Sequence, residues 1–254
     1  MNAFARHSIK AVCLDAAGTL FRPRGSVGGI YARFARAHGL PATAGLAGEL
    51  ERRFREQFAA MPPPAYRPDA PAHNQAVDRL WWREIVTAVM GDPGPGDFEA
   101  FFDAVFDAFA DPALWELYPG TLDVLDRLRA GGLRLAVISN FDARIVSICR
   151  GLGLGRRVEA IVYSSELGAT KPDARIFHHA LARLGVPASA ALHVGDSLRA
   201  DVAGARAAGL HAVHLHRDAP APVRQHAGGW PSIGDLRELP ALLLPAQAGD
   251  AACP

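Results

Sequence analysis

The sequence predicts an α/β protein: a doubly wound parallel sheet carrying an inserted α-helical domain. Three observations predict it. From Tyr118 onward, short apolar runs alternate with amphipathic segments of about 10 to 12 residues, the pattern of a parallel sheet with crossover helices. Between Val27 and Phe109, four helical patterns follow one another with no strand pattern among them. The apolar runs also end in polar residues, at Asp15, at Ser139-Asn140 and at Asp196. Ligand sites of open parallel sheets lie at such strand ends.

Val12-Cys13-Leu14 is a short apolar strand delivering Asp15, and Gly18 lets the chain turn away beside it. Arg22 to Ser26 reads as a turn-rich exit. Helices are expected over Val27–His38, Leu46–Ala60, Asn74–Met90 and Gly96–Phe109. Leu50, Phe54 and Phe58 recur at i, i+4 and i+8, and Trp81, Ile85 and Val89 are in phase. Gly39-Leu40-Pro41 closes the first helix, Met61-Pro62-Pro63-Pro64 stops the second, and residues 65–72 form a Pro-rich loop. The aromatic stripes read as the core of a small helical bundle. The domain boundaries follow as 1–24 with 115–254 for the α/β core and 25–114 for the helical insert.

In the second half, helices are expected at Thr121–Ala130, Ala143–Leu152, Asp173–Leu184 and Leu198–Ala208. Strands are expected at Leu133–Ile138, Ala160–Tyr163, Ala190–Val194 and His211–Leu215. The run Gly151-Leu152-Gly153-Leu154-Gly155 follows a helix instead of opening one, so it reads as a helix stop and not a nucleotide loop. Alternation along a strand separates the faces of His211, His214 and His216, which argues against a histidine metal site. Residues 218–229 read as a loop, 235–244 as a last helix, and 245–254 as a frayed tail.

The chain has 254 residues, half of them hydrophobic, and a net charge of +1. That balance gives no sign of nucleic acid as a partner. No apolar run approaches the roughly 20 residues a membrane-crossing helix needs, and Met1–Lys10 carries no signal-peptide pattern. Cys13, Cys149 and Cys253 are widely spaced, which points to a reducing cytoplasmic setting and not a disulfide framework. Lys10 and Lys171 are the two lysines of the chain.

The strand ends make chemical sense together. Asp15 is a candidate nucleophile. Asp15, Asp196 and Asp201 form a hard oxygen site suited to Mg²⁺. Ser139 with Asn140, and the main chain around Gly18 and Thr19, are candidates to hold phosphate oxygens. Lys171 supplies a point charge for a phosphoryl group and an attacking carboxylate. The expected partner is therefore a small phosphorylated metabolite.

Asp15-Ala16-Ala17-Gly18-Thr19-Leu20, Val137-Ile138-Ser139-Asn140, Lys171-Pro172-Asp173 and Gly195-Asp196-Ser197 with Asp201 resemble motifs I to IV of the haloacid dehalogenase (HAD) superfamily. The insert stands where that superfamily carries its helical C1 cap. The resemblance implies a Rossmannoid core, an aspartyl nucleophile at Asp15, a phosphate oxygen held by Ser139, and stabilisation of both by Lys171. It implies Mg²⁺ held by Asp15, the main-chain carbonyl of Ala17, and Asp196, with Asp201 supporting the site.

One position departs from the pattern. Superfamily phosphatases usually carry a second Asp in motif I, which protonates the leaving group and later activates water; here that position is Ala17. General acid–base help is worth about 10²- to 10⁴-fold in rate, so alkyl phosphates should turn over poorly unless His38, His73 or the substrate supplies a proton. Phosphonoacetaldehyde hydrolases resemble this motif I but need a cap Lys, and this cap has none. A 2-haloacid dehalogenase also lacks the second Asp, yet its motif IV does not resemble the acidic one here, and its Tyr after motif III stands as Phe177. A protein that binds Mg²⁺ and a phosphorylated ligand or a partner without efficient chemistry is the remaining alternative.

Overall fold

A computed structural model describes residues 8–40, 45–91, 96–217, 224–225 and 229–245. The expectations for the N-terminal segment, Pro41, most of the 218–229 loop, the 245–254 tail beyond its first residue, and Cys253 lie outside the described residues. Strand β1 (Ala11–Leu14) leads to β2 (Phe21–Pro23) and then to helices α1 (Val27–Ala37), α2 (Leu46–Ala60), α3 (Pro71–Met90) and α4 (Phe98–Ala108). Strand β3 (Trp115–Leu117) returns the chain to the core. There α5 (Thr121–Ala130), β4 (Arg134–Ser139), α6 (Arg144–Gly151), β5 (Ala160–Tyr163), α7 (Ser164–Leu167), α8 (Ala174–Leu184) and β6 (Ala191–Gly195) follow. Next come a π-helical turn (Leu198–Ala203), α9 (Gly204–Ala207), β7 (His211–Leu215), β8 (Arg224–Gln225), β9 (Pro231–Ile233) and α10 (Leu239–Leu243).

The main sheet has the order β5-β4-β1-β6-β7-β9-β8, and only β8 runs antiparallel to its neighbour. Strand β1 is central, with Leu14 opposite Val137 on one side and Val194 on the other. Both faces are buried, as parallel sheets require. Val12 and Leu14 join Leu135, Val137, Leu192 and Val194 in one apolar layer. The alternating residues Ala11 and Cys13 join Ala136, Ile138 and Ala191 in the other, against Ile176, Phe177 and Leu181 of α8. The period of two thus sends one short apolar run into two cores.

The helices between β2 and β3 build a third core, around Tyr31, Leu50, Ile85, Phe101 and Phe102. Helices α1 and α2 touch at Gly28, where an added Cβ would stand 2.3 Å from the Ala47 carbonyl oxygen and the Glu51 amide. Only glycine allows that approach.

Four local expectations are corrected. The exit at Arg22–Ser26 is partly a strand: Phe21–Pro23 pairs antiparallel with Trp115–Leu117 in a separate ribbon, Arg22 donating to Glu116 at 2.8 Å. The helix expected over Leu198–Ala208 begins as a π-turn, because Ser197 caps it and Asp201 is drawn back toward the sheet. The 218–229 loop contains β8, which pairs with β9, and the last helix is a 3₁₀ turn at Leu236–Glu238 followed by α10.

Replacing Gly28 with alanine should force α1 and α2 apart. We expect Gly28→Ala to lower stability by about 1–2 kcal/mol, overpacking outweighing the gain in helix propensity, read as a drop in the urea midpoint. An unchanged or raised midpoint would show that the two helices part without loss.

Candidate active site

The carboxyl ends of β1, β4 and β6 lie side by side, so Asp15, Ser139 and Asp196 meet at one edge of the sheet. Asp15 is 7% exposed, Ser139 3% and Lys171 5%, which leaves little water to screen their charges. Lys171 comes from the loop before α8. Its Nζ donates to Asp15 Oδ1 at 2.6 Å, to Asp201 Oδ1 at 2.6 Å and to the Ile138 carbonyl at 2.9 Å. All three ammonium protons are therefore used.

Asn140 fixes the main chain of Lys171. Its amide oxygen accepts from Lys171 N–H at 2.7 Å and its Nδ2 donates to the Lys171 carbonyl at 3.0 Å. The Asn140 side chain, expected to hold substrate, is committed to positioning the lysine.

Gly18 has φ +93°, and a Cβ there would lie 2.4 Å from Asp196 Oδ2, so glycine is what lets the motif I turn rest against Asp196. The turn closes on itself: Gly18 N–H donates to Phe21 O at 2.9 Å and Thr19 N–H to Ala16 O at 3.2 Å. Thr19 is fully buried and its Oγ1 has no partner. The amides expected to meet phosphate at Gly18 and Thr19 are thus spent within the turn. Those of Ala16 and Ala17, next to the carboxylate, have no main-chain acceptor among the described residues.

Asp201 is held from three sides. Lys171 and His193 Nε2 (2.9 Å) share its Oδ1, and Ser197 N–H donates to Oδ2 at 3.0 Å. Gly195 makes room, since a Cβ there would sit 2.2 Å from the Asp201 carboxyl carbon. Two contributors carried no signal in the sequence. His193, fully buried on β6, backs Asp201. Arg217 donates to the Gly18 and Thr19 carbonyls at 3.2 and 2.6 Å and lies 3.5 Å over the Tyr118 ring. His214 Nε2 bonds the Asp196 carbonyl at 3.0 Å. Contrary to the expected separation of faces, His214 and His216 stack at 5.4 Å, being two residues apart on one side of β7 and its exit.

The electrostatics are unbalanced. Asp15, Asp196 and Asp201 present oxygens within 4.8 Å of one another, against the single ammonium of Lys171. Burial is the largest influence on Asp15, and with Asp201 and Asp196 it outweighs Lys171 and pushes the carboxyl up to about 6. Partial removal from water and the charge of Asp201 also raise Asp196. Burial acts on Asp201 too, but Lys171 and His193 overcome it and hold that carboxyl well below the usual range. On Lys171 burial pulls downward, and the two carboxylates reverse it and keep the ammonium charged. A set of hard carboxylate oxygens with surplus negative charge fits a divalent cation such as Mg²⁺. Asp15 and Asp196 have the freer oxygens, while Asp201 is occupied by its three donors.

Above the floor lies a cavity of about 840 Å³, lined by Asp15, Ala17, Ser139, Lys171 and Asp196 below and by cap helices above. Neither His38, bonded to the Phe34 carbonyl, nor His73 lines it. Asp142 and Arg144, just after Ser139-Asn140, tie the cap down. Trp82 Nε1 donates to Asp142 at 3.1 Å, and Arg144 donates to Asp142 and, at 2.8 Å, to the Phe106 carbonyl.

In metal-free protein the raised Asp15 carboxyl means that the folded state favours the protonated form. Its contribution to stability is full below the ordinary 3.8 and is lost as pH climbs through about 6. Asp15→Asn, which removes the charge, should therefore stabilise chelator-treated protein at pH 8 by on the order of 2–3 kcal/mol, with no gain below pH ~4. Denaturant unfolding at the two pH values checks this, and equal stability of both proteins at pH 8 would contradict it.

Comparison with known proteins agrees with the geometry. A family model described as a haloacid dehalogenase-like hydrolase matches residues 9–209. The human haloacid dehalogenase-like hydrolase domain-containing protein 3 is 35% identical over 209 residues, 81% of this chain and 81% of its own length. Phosphoserine phosphatase of Thermus thermophilus is 31% identical over 185 residues, 65% of this chain and 74% of its own. Among solved structures, L-2-haloacid dehalogenase from Xanthobacter autotrophicus, with chloropropionic acid covalently bound, superposes with a TM-score of 0.69 at 21% identity, covering 92% of this chain and 98% of that one; this likeness speaks to the fold. With its sheet topology, its capped insertion and these matches, the chain belongs to the haloacid dehalogenase-like hydrolase family.

Proposed function

We propose that this hydrolase is a Mg²⁺-dependent phosphatase-type enzyme acting on a small phosphorylated metabolite through an aspartyl nucleophile. The observation that carries the reading is the Lys171 ammonium, 2.6 Å from both Asp15 and Asp201 on the floor of a cavity. Lys171 holds one Asp15 oxygen still and offers positive charge where phosphoryl oxygens would gather. The other Asp15 oxygen attacks phosphorus; the bond to the leaving oxygen breaks, and that oxygen departs with the electron pair. Ser139 and the free amides of Ala16 and Ala17 receive the phosphoryl oxygens. Water then attacks phosphorus, releasing phosphate and restoring the Asp15 carboxylate. Mg²⁺, held by Asp15, Asp196 and the Ala17 carbonyl with Asp201 in support, would neutralise the surplus charge and polarise the phosphoryl group. The phosphatase names among relatives support this choice of chemistry.

Ala17 lines the cavity beside Asp15 and carries no proton to give. This observation favours a second reading, a protein that binds Mg²⁺ and a phosphorylated ligand with weak chemistry or none. The dehalogenase reading is weaker: Phe177, at the position of the dehalogenase tyrosine, is fully buried in the core with its ring against His193.

With Mg²⁺ the protein should hydrolyse aryl or acyl phosphates, and Asp15→Asn should fall to background in a phosphate-release assay. A wild type indistinguishable from Asp15→Asn across a panel of phosphate esters would leave the binding reading standing. Ala17→Asp should raise alkyl-phosphate turnover by up to about 10²- to 10⁴-fold; no gain in a folded, Mg²⁺-binding variant would mean that proton transfer is not limiting. Halide release from a 2-haloacid without Mg²⁺ would restore the dehalogenase.

A further inference from the structure

The cap half of the cavity is built from rings. Phe58, Trp82, Phe102, Phe106, Phe109 and Trp115 all line it, and the chamber is continuous with Asp15, Lys171 and Asp196. Its volume, about 840 Å³, is far more than a phosphoryl group fills and lies in the range of sites that enclose a whole organic ligand.

Each charged or capping side chain described among these rings already has a partner, and Arg22 and Arg55 are largely exposed. Arg22 is bonded to Glu116 at 2.8 Å and packs on Tyr118. Arg55 donates to Glu51 at 3.0 Å, and the other Glu51 oxygen accepts from Gly28 N–H at 2.9 Å. Ser26 caps α1, accepting from Gly29 N–H at 3.0 Å. Arg144 is held by Asp142 and the Phe106 carbonyl, its guanidinium 3.9 Å from the centre of the Phe106 ring. A ligand rich in hydroxyl, amine or carboxylate groups would have to surrender its water here for few partners, which is costly. A flat apolar body would meet ring faces and edges.

Resting on the phosphatase reading above, we propose that the substrate is a phosphate monoester of a phenol carrying an extended apolar body, bound with that body in the ring-lined chamber. The missing acid at Ala17 is consistent with this class. A phenol ionises near ~10, so when Asp15 attacks and the P–O bond breaks, the phenolate departs with the electron pair and takes its proton from water. An alkoxide, far more basic, depends on a proton donor that position 17 lacks.

The test separates binding from turnover. Calorimetry on wild-type protein with Mg²⁺ would compare three non-hydrolysable phosphonates: methyl, benzyl and naphthalen-2-ylmethyl. Affinity should rise along the series, the naphthyl compound binding roughly tenfold tighter than the benzyl one, the effect of burying one further fused ring. Phe58→Ala, at a residue 46% exposed, and Phe106→Leu should each shrink that ratio. Equal affinities, tighter binding of glycerol 3-phosphate than of the naphthyl compound, or a ratio untouched by both variants would overturn the proposal. Hydrolysis of 2-naphthyl phosphate, measured alongside, reports on the reaction itself. The expected binding series without Asp15-dependent hydrolysis would uphold the chamber's specificity and remove the phosphatase reading; hydrolysis with a flat series would do the reverse.

Discussion

One buried ammonium holds the active edge together. Lys171 reaches from the loop before α8 to carboxylates at the end of β1 and in the turn after β6, and to a carbonyl of β4. Taking these charges out of water is expensive, and only close mutual pairing offsets it. The surroundings serve that pairing. Asn140 grips the lysine main chain, His193 and the Ser197 amide fix Asp201, and Gly195 and Gly18 give up side chains so that Asp201 and Asp196 can stand close. Removing the lysine would leave two buried carboxylates, Asp15 and Asp201, facing each other beside the more exposed Asp196. The same geometry that stabilises the lysine leaves the Asp15 carboxyl pushed up to about 6, so the site's electrostatic strain falls on Asp15.

The layered architecture was legible because it depends on periodicity. Alternation in Ala11–Leu14 and the 3.6-residue stripes of the cap report directly which faces are buried. The strand ends were legible too, since an apolar run stopping at Asp15, Ser139 or Asp196 is a local signal. What stayed hidden depends on partners distant in sequence. Phe21–Pro23 is too short, and too proline-bound, to announce a strand; it exists because Trp115–Leu117 lies beside it. Arg217 contacts a turn almost the whole chain away. The expectation for Asn140 and for the amides of Gly18 and Thr19 named groups of suitable chemistry, but hydrogen-bond capacity is finite, and the fold had already used it.

The two walls of the cavity, core and cap, differ in chemical character. The floor is polar: Lys171, Asn140 and Asp201 are bound to one another and to the main chain, while Asp15 and Asp196 keep freer oxygens. The roof is aromatic and offers shape and polarisable surface. Ala17 stands where the two meet, and its methyl group continues the apolar character of the roof down to the Asp15 carboxylate. A second carboxylate at that position would add to a site where three already compete for one lysine, so in the absence of a cation its loss also relieves repulsion.

The small ribbon of β2 and β3 has a consequence for how such a chain tolerates so large an interruption. The helical insert leaves and re-enters the core through two strands hydrogen-bonded to each other, Phe21 opposite Leu117 and Pro23 opposite Trp115. Its ends are therefore pinned together independently of what lies between them. Loop-closure entropy grows only slowly with length, and here the stem meets it once, whatever is mounted above. The roof can then lengthen, shorten or change its lining without disturbing the register of the sheet, so that the ribbon works as a graft union between stock and scion.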